Sequence, residues 1–195
     1  FARETTNRAE FSVFTDKFQC YKSMRSDFDD GKASLLGDYL PQKLGFEPGE
    51  NLVSLQFCGD YKGFVLFFFE NGKAAKVPLS AYETKTNRKK LTGAYSDKSP
   101  LVAAMVLEED AQIALYSSDG RAAVFSTAQL LPKTTRNTQG VAVMTLKKKA
   151  VLQDARLLEE SGIANPGRYR TKTIPSAGML LKEEDSADKQ QSFEV

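Results

Sequence analysis

The feature that most constrains this chain is an internal repeat, because a repeated unit dictates a repeated architecture. Residues 64–77 read FVLFFFENGKAAKV and residues 112–125 read QIALYSSDGRAAVF, which places Asn71-Gly72 and Asp119-Gly120 48 residues apart inside matching apolar runs. A weaker third copy, FSVFTDKFQCYK at 11–22, carries Asp16-Lys17 at its turn, 55 residues before Asn71-Gly72. Asn-Gly and Asp-Gly are preferred centres of two-residue type I′ hairpins, whose central residues both need positive φ. Each copy is therefore expected to be a hairpin. A polar connection rich in Thr and Lys follows each one, and then another apolar strand, at 52–57, 101–107 and 141–146. A unit of strand, turn, strand, connection and strand with a period near 50 matches one small antiparallel sheet per repeat, the blade of a propeller-like array. Short strands cannot bury an apolar face alone, so blades must pack face to face. The runs 65–69 and 102–106 are predicted as inner strands, with Phe67, Phe68 and Phe69 in the core rather than stacked on bases.

Composition removes whole classes of chemistry. The chain contains no His, which excludes Ser-His and Cys-His nucleophile pairs and every His-ligated metal. Its two cysteines, Cys20 and Cys58, give neither a four-thiolate site nor a disulfide framework and read as reduced cytoplasmic thiols. The longest apolar run, 63–69, is far short of the roughly 18 residues that span a bilayer, and no signal-peptide pattern opens the chain, so a soluble protein is expected. The carboxylates Asp27, Asp29, Asp30 and Glu108, Glu109, Asp110 lack the spacing of a calcium loop. Asp29-Asp30-Gly31-Lys32 lacks the earlier glycine of a phosphate-binding loop. No catalytic residue, metal site or nucleotide cofactor is indicated.

The net charge of +2 conceals a pattern along the chain. Residues 1–60 carry −3, 73–98 carry +5, 121–172 carry +7 and 183–195 carry −4. The basic runs fall after successive hairpins: KTNRKK at 85–90, KTTRNTQG at 133–140, and Lys22, Arg25, Lys32 and Lys43 in the first copy. Loops between blades share one rim, so their charges should form a stripe. Cations mixed with Thr, Asn and Gln suit phosphates rather than base edges. The candidate DNA-binding residues are Lys22, Arg25, Lys73, Lys76, Lys85, Arg88, Lys89, Lys90, Arg121, Lys133, Arg136, Lys147, Lys148 and Lys149. The alternative is a propeller-type protein-interaction module using the same loops, and the salt dependence of binding separates the two.

The ends of the chain are read from composition. Residues 1–10 are expected to be the end of an upstream blade or a linker, and 11–152 the blades. Residues 153–161 are expected as a short helix with Leu157 and Leu158 on one face and Gly162 at its C-cap. That helix opens an extension, 153–182, docked on the last blade. The acidic stretch 183–195 reads as disordered and as a competitor of DNA for the rim.

The repeated apolar strand, its Asn/Asp-Gly turn and Lys/Arg-Ala-Ala, with Thr135-Arg136 and Gly140-Val141 leading into a further strand, resemble the C-terminal repeats of the type IIA topoisomerase A subunit. That family comprises DNA gyrase A and its topoisomerase IV counterpart. The resemblance covers 11–152, and RYRTKTIP at 168–175 resembles sequence after the last blade in some members. It implies an all-β fold, the β-pinwheel. Four-stranded antiparallel blades, about three to four of them, exchange strands, and duplex DNA bends around a basic outer rim without sequence preference. It implies no catalysis here, since the family's cleaving tyrosine, metal site and ATPase lie outside this domain, and ATP and Mg²⁺ are used elsewhere in the holoenzyme. The implied partners are double-stranded DNA, the A-subunit dimer and the topoisomerase B subunit, in the bacterial cytoplasm at the nucleoid. Arg168-Tyr169 looks like the family's cleaving Arg-Tyr pair, but its flanks, Pro166-Gly167 and Arg170-Thr171, belong to a polar tail. The Gln/Arg/Gly-rich box tied to supercoiling is absent, since 134–140 and 165–170 lack its paired glycines. Capture of the transported duplex for relaxation or decatenation is implied first, with supercoiling left open.

Overall fold

A computed structural model describes residues 10–28, 39–84 and 89–186. The expectations for 1–9, Asp29, Asp30, Lys32, Lys85, Arg88 and 187–195 fall outside the described residues. In chain order the elements are β1 (Glu10–Thr15), β2 (Gln19–Met24), α1 (Leu40–Leu44), β3 (Leu52–Phe57), β4 (Phe64–Phe69), β5 (Lys73–Pro78), β6 (Lys90–Thr92), β7 (Leu101–Leu107), β8 (Gln112–Ser117), β9 (Arg121–Ser126), β10 (Val141–Ala142), β11 (Leu152–Leu157) and β12 (Met179–Leu180). They form three four-stranded sheets, ordered β3-β1-β2-β6, β10-β5-β4-β7 and β11-β8-β9-β12, with every named pairing antiparallel. We call them blades 1, 2 and 3.

Strand exchange is visible in that order. The chain makes the hairpin of blade 2, returns to lay β6 on the outer edge of blade 1, and only then adds β7 to its own sheet. Blade 3 does the same with β10, which pairs with β5 of blade 2. Outer edges that would otherwise offer unpaired backbone groups are thus covered by the next repeat. The two ends depart from the rule. In blade 1 the helix α1 stands in the chain interval where an exchanged strand would leave. Its Leu40 and Leu44 pack instead, with Phe28 and Phe46, over Phe11, Val13 and Tyr21 of their own blade. In blade 3 the edge strand β12 comes from the C-terminal segment, which covers Ala114, Ala122 and Val124 with Ile163, Tyr169, Leu158 and Leu181.

Period-2 alternation explains why β4 is apolar throughout. Val65, Phe67 and Phe69 enter the cluster shared with blade 1, while Leu66 and Phe68 enter the one shared with blade 3. A strand buried on both faces needs an unbroken apolar run. Phe67 meets Phe14 edge-on at 5.2 Å between ring centroids and stacks on Tyr95 at 5.5 Å. These phenylalanines are core, as expected. The strand β4 is interior to its sheet, and β7 is the sheet's innermost edge, packed between β3 of blade 1 and β11 of blade 3. There Ser54 Oγ and Gln56 Nε2 donate to the Ala104 carbonyl, and Val106 N donates to Gln56 Oε1.

Several local expectations are corrected. The hairpin loops have three residues, 16–18, 70–72 and 118–120, and only the last of each has positive φ, at Phe18 (59°), Gly72 (76°) and Gly120 (75°). Gly72 N and Gly120 N donate to the Phe69 and Ser117 carbonyls, the type I turn plus left-handed residue of the longer hairpin class. The Asn/Asp-Gly pair therefore sits one step later in the loop than a type I′ turn requires. The strand expected at 141–146 shrinks to β10 and belongs to blade 2. The third strand of blade 3 is β11, where a helix over 153–161 was expected, followed by a 3₁₀ turn at Leu158–Glu160. A register shift between Leu152 and Asp154 places the inward Leu152 and Ala155 three residues apart, a spacing that imitates a helix. Blade 3 accordingly includes 152–157 and 179–180 rather than ending at 152. The acidic stretch is not wholly free either, since Glu183–Asp185 is a 3₁₀ turn with Asp185 fully buried.

Candidate nucleic-acid interface

The outer edge of each blade is set by pairings that repeat with the fold. Thr15, Phe69 and Ser117 are paired to Leu52, Leu101 and Leu152, which makes Lys22, Lys76 and Val124 equivalent positions on the second hairpin strands. Each of these receives the incoming connection through its backbone. Lys22 N donates to the Lys89 carbonyl, Lys133 N to the Lys76 carbonyl and Val124 N to the Tyr169 carbonyl, while Thr171 N donates to the Val124 carbonyl. Further along, Ala94 N, Met144 N and Leu181 N donate to the carbonyls of Phe18, Gly72 and Gly120. The segments beginning at Lys89, Lys133 and Arg170 thus run over the same ground on successive blades.

Close approach decides where this path needs glycine. A Cβ on Gly140 (φ +69°) would lie 2.0 Å from the Ala74 carbonyl oxygen, and one on Gly178 (φ +67°) 2.7 Å from that of Ala122. These are backbone neighbours that cannot move aside. In blade 1 the equivalent residue is Lys90, and its side chain turns back to Glu47, with Nζ 2.7 Å from Oε1 and 5.3 Å from the centre of the Tyr21 ring. The Glu47 bond holds the Lys90 pKa above its ordinary value, and Lys90 holds that of Glu47 below.

The candidate cations separate into groups. Lys89 and Lys133 are exposed on the connections, and Arg136 is half-buried with its guanidinium 5.9 Å over the Tyr82 ring. A cation over an aromatic face is held electrostatically while its N–H donors can still serve an acceptor. Among the described residues none of the three has a carboxylate at ion-pair distance. Lys22 and Lys76 are different, because only 7% and 5% of each is exposed. Lys22 Nζ lies 3.0 Å from Glu10 Oε1 and 4.7 Å from the centre of the Tyr61 ring. Lys76 Nζ lies 2.6 Å from Asp110 Oδ1, donates to the Thr127 carbonyl and sits 4.5 Å from the centre of the Phe64 ring. The Lys76 bond, with a second from Thr127, holds the Asp110 carboxyl below the usual range. These two strand lysines are internal counter-ions and are withdrawn from the rim.

Arg25 turns into its own 3₁₀ turn and donates to the Phe28 carbonyl. Arg121 donates from Nη1 to the Gly178 carbonyl, and its Nε is 3.5 Å from Asp119 Oδ2 without the alignment of a hydrogen bond. Lys73 is half-buried beside β10. Lys147, Lys148 and Lys149 are exposed, but their turn leads from β10 back to the hairpin loops, where Val151 N meets Ser118. That places them at the hairpin-loop end of the connections rather than where these cross Lys22, Lys76 and Val124. Arg168, Arg170 and Lys172 were not among the expected DNA-binding residues, although they contribute to the +7 carried by 121–172; all three are exposed where the connection crosses Val124.

Elsewhere, Cys20 and Cys58 are buried free thiols, and burial pushes Cys20 up to about 12 and raises Cys58 as well. Tyr169, the residue of the Arg-Tyr decoy, is 2% exposed and bonded to Asp185. No helix among the described residues is long and apolar enough to cross a membrane.

No family model and no curated protein matches this chain. Solved structures do. A C-terminal domain of DNA topoisomerase IV superposes with TM-score 0.76 at 18% identity, covering 92% of this chain and 61% of its own. The DNA gyrase A C-terminal domain gives 0.65 at 14%, covering 93% and 64%. The E. coli ParC C-terminal domain gives 0.66 at 11%, covering 92% and 79%. The chain thus spans under two thirds of the first two domains. At these identities the likeness is one of fold, and that fold is the β-pinwheel found in the C-terminal domains of gyrase A and ParC.

Proposed function

We propose that this chain is a non-catalytic domain that holds duplex DNA, without sequence preference, along its outer edge. The observation that carries the reading is the delivery of Lys89 and Lys133, with Arg136 close behind, to the same ground on successive blades with no carboxylate at ion-pair distance among the described residues. Phosphates of one strand present acceptors at regular intervals, and a row of cations outside ion pairs releases counter-ions when it meets them. No donor pattern suited to base edges accompanies the row. The fold likeness to topoisomerase IV and gyrase A domains supports the same reading. In that setting the domain orients the transported duplex during ATP-dependent strand passage, in relaxation or decatenation, as part of an A-subunit dimer working with a B subunit. Strand cleavage, Mg²⁺ and ATP then belong to other parts of the enzyme.

The test is a titration of the 195-residue chain with a labelled arbitrary-sequence duplex of about 40 base pairs, from about 50 to 200 mM salt. Binding should weaken steeply with salt. Changing Lys89, Lys133 and Arg136 to Ala should make the slope of log K against log salt shallower by about 0.9 for each phosphate no longer neutralised. Binding that ignores salt, or a variant with the unaltered slope, removes the reading in favour of a protein-interaction module.

A further inference from the structure

The basic segment that crosses blade 3 follows no hairpin and belongs to no repeat, yet it is tied down by a buried hydrogen-bonded clasp. Tyr169 lies among Ala114, Ala122, Val124 and Ile163. Its hydroxyl donates to Asp185 Oδ2 at 2.7 Å and accepts from Lys182 N at 3.1 Å. Asp185, 0% exposed, also accepts from Asn165 N through Oδ1 at 3.0 Å. The clasp therefore ties together three points of the C-terminal segment, at 165, 169 and 182–185. Val124 then bonds on either side of Arg170, to the Tyr169 carbonyl and the Thr171 amide, in a parallel bridge.

The 3₁₀ turn Pro166–Arg168 and the αR conformation of Tyr169 (φ −100°, ψ −10°) carry the chain across Val124. With Tyr169 inward, Arg168, Arg170 and Lys172 are exposed. Arg170 is oriented further, since its Nε donates to Gln112 Oε1 at 3.1 Å. That bond leaves the terminal N–H groups for a second acceptor, the arrangement suited to a phosphate. Among the described residues neither Arg168 nor Lys172 has a carboxylate at ion-pair distance. Val124 is the counterpart of Lys22 and Lys76, the points that the other two connections cross, so this strip continues their line.

We propose that Arg168, Arg170 and Lys172 form a phosphate-binding strip for duplex DNA on blade 3, with Tyr169 and Asp185 as its positioning residues. A clasped non-blade segment would then do on the last blade what exchanged connections do on the first two. The inference rests on the duplex-binding reading above.

The same duplex titration tests it with the 195-residue chain. Changing Arg168, Arg170 and Lys172 together to Ala removes only exposed side chains, so the fold should survive. The salt slope should become shallower by about 0.9 per phosphate released, and affinity at about 100 mM salt should fall by about tenfold or more. Tyr169→Phe, which keeps the ring and cuts the hydroxyl, should weaken binding less but in the same direction, with a shallower slope. Lys62→Ala, at an exposed pair with Asp60, should bind as the unaltered chain does. Unaltered affinity and slope in the triple variant, while the Lys133 and Arg136 changes weaken binding, overturns the strip and leaves the duplex reading standing. No duplex binding by the unaltered chain at low salt overturns both.

Discussion

Hairpins and connections both carry lysines, and the same positions show how differently they are used. Lys22 and Lys76 stand at equivalent points of β2 and β5, and each points into protein toward a carboxylate and an aromatic ring. Lys89 and Lys133 bond through their backbones to those same points and leave their side chains in solvent. Blade 3 has Val124 at the equivalent position, packed against Tyr169 and Ile163 because a capping segment rather than another blade lies over it. A lysine within a repeat is thus one of two solutions to filling a blade face, interchangeable with an apolar residue. The lysines at 89 and 133, between repeats, keep their side chains in solvent.

The largest effect expected from this contrast concerns a place where a connection presses on a hairpin backbone. Gly140→Ala would drive a Cβ to 2.0 Å from the Ala74 carbonyl oxygen at a positive φ, and should cost about 3–5 kcal/mol in urea denaturation. Gly120→Ala, with the same sign of φ but nothing within 4 Å, should cost only about 1–2 kcal/mol. Equal losses would mean that backbone strain, not the meeting of connection and hairpin, governs the site.

The strand lysines give the next largest difference. Asp110→Ala leaves the buried Lys76 ammonium with the Thr127 carbonyl and the Phe64 ring. Because Asp110 itself is 43% exposed, the full penalty of a broken buried pair is reduced to about 2 kcal/mol. Lys76→Met removes the charge along with the need for a partner and should stay within about 1 kcal/mol of the unaltered chain. Its duplex affinity and salt slope should also be unchanged. A weakened slope in Lys76→Met would return this lysine to the rim and break the contrast.

Much of this was legible in the sequence, and what was not has identifiable causes. The hairpins and the strands Leu52–Phe57 and Leu101–Leu107 could be read from apolar runs and spacing. The exchanged strands could not be placed, since Lys90–Thr92, Val141–Ala142 and Met179–Leu180 are too short to show a period. The strand Leu152–Leu157 hid behind its bulge. At the interface, the basic runs were plain, but alternation cannot tell an outward lysine from an inward one whose partner is distant. Asp110 lies 34 residues from Lys76, and no local pattern joins them. Asp185 looked like the start of a solvated acidic tail for the same reason. Its partners Tyr169 and Asn165 are 16 and 20 residues away.

The smallest expected effect separates the clasp of blade 3 from the apolar packing beneath it. The Tyr169 hydroxyl, and after it the Asn165 amide, hold the Asp185 carboxyl below its ordinary 3.8. The native state therefore binds its proton less readily than the unfolded chain does. The clasp's contribution is complete above the unfolded pKa and is lost as pH falls from about 4 through the lower native value. Ala114, Ala122 and Val124 contribute the same at either pH. Urea midpoints at about pH 5 and pH 3 should then differ more for the unaltered chain than for Asp185→Asn, which cannot titrate. Other carboxylates held low, such as Asp110 with Lys76, fall in both proteins, so the difference between the two isolates the clasp. Identical pH dependence would mean that the apolar cluster alone seats the C-terminal segment. Arg168, Arg170 and Lys172 would then owe their placement to Val124 and its neighbours rather than to the buried acid.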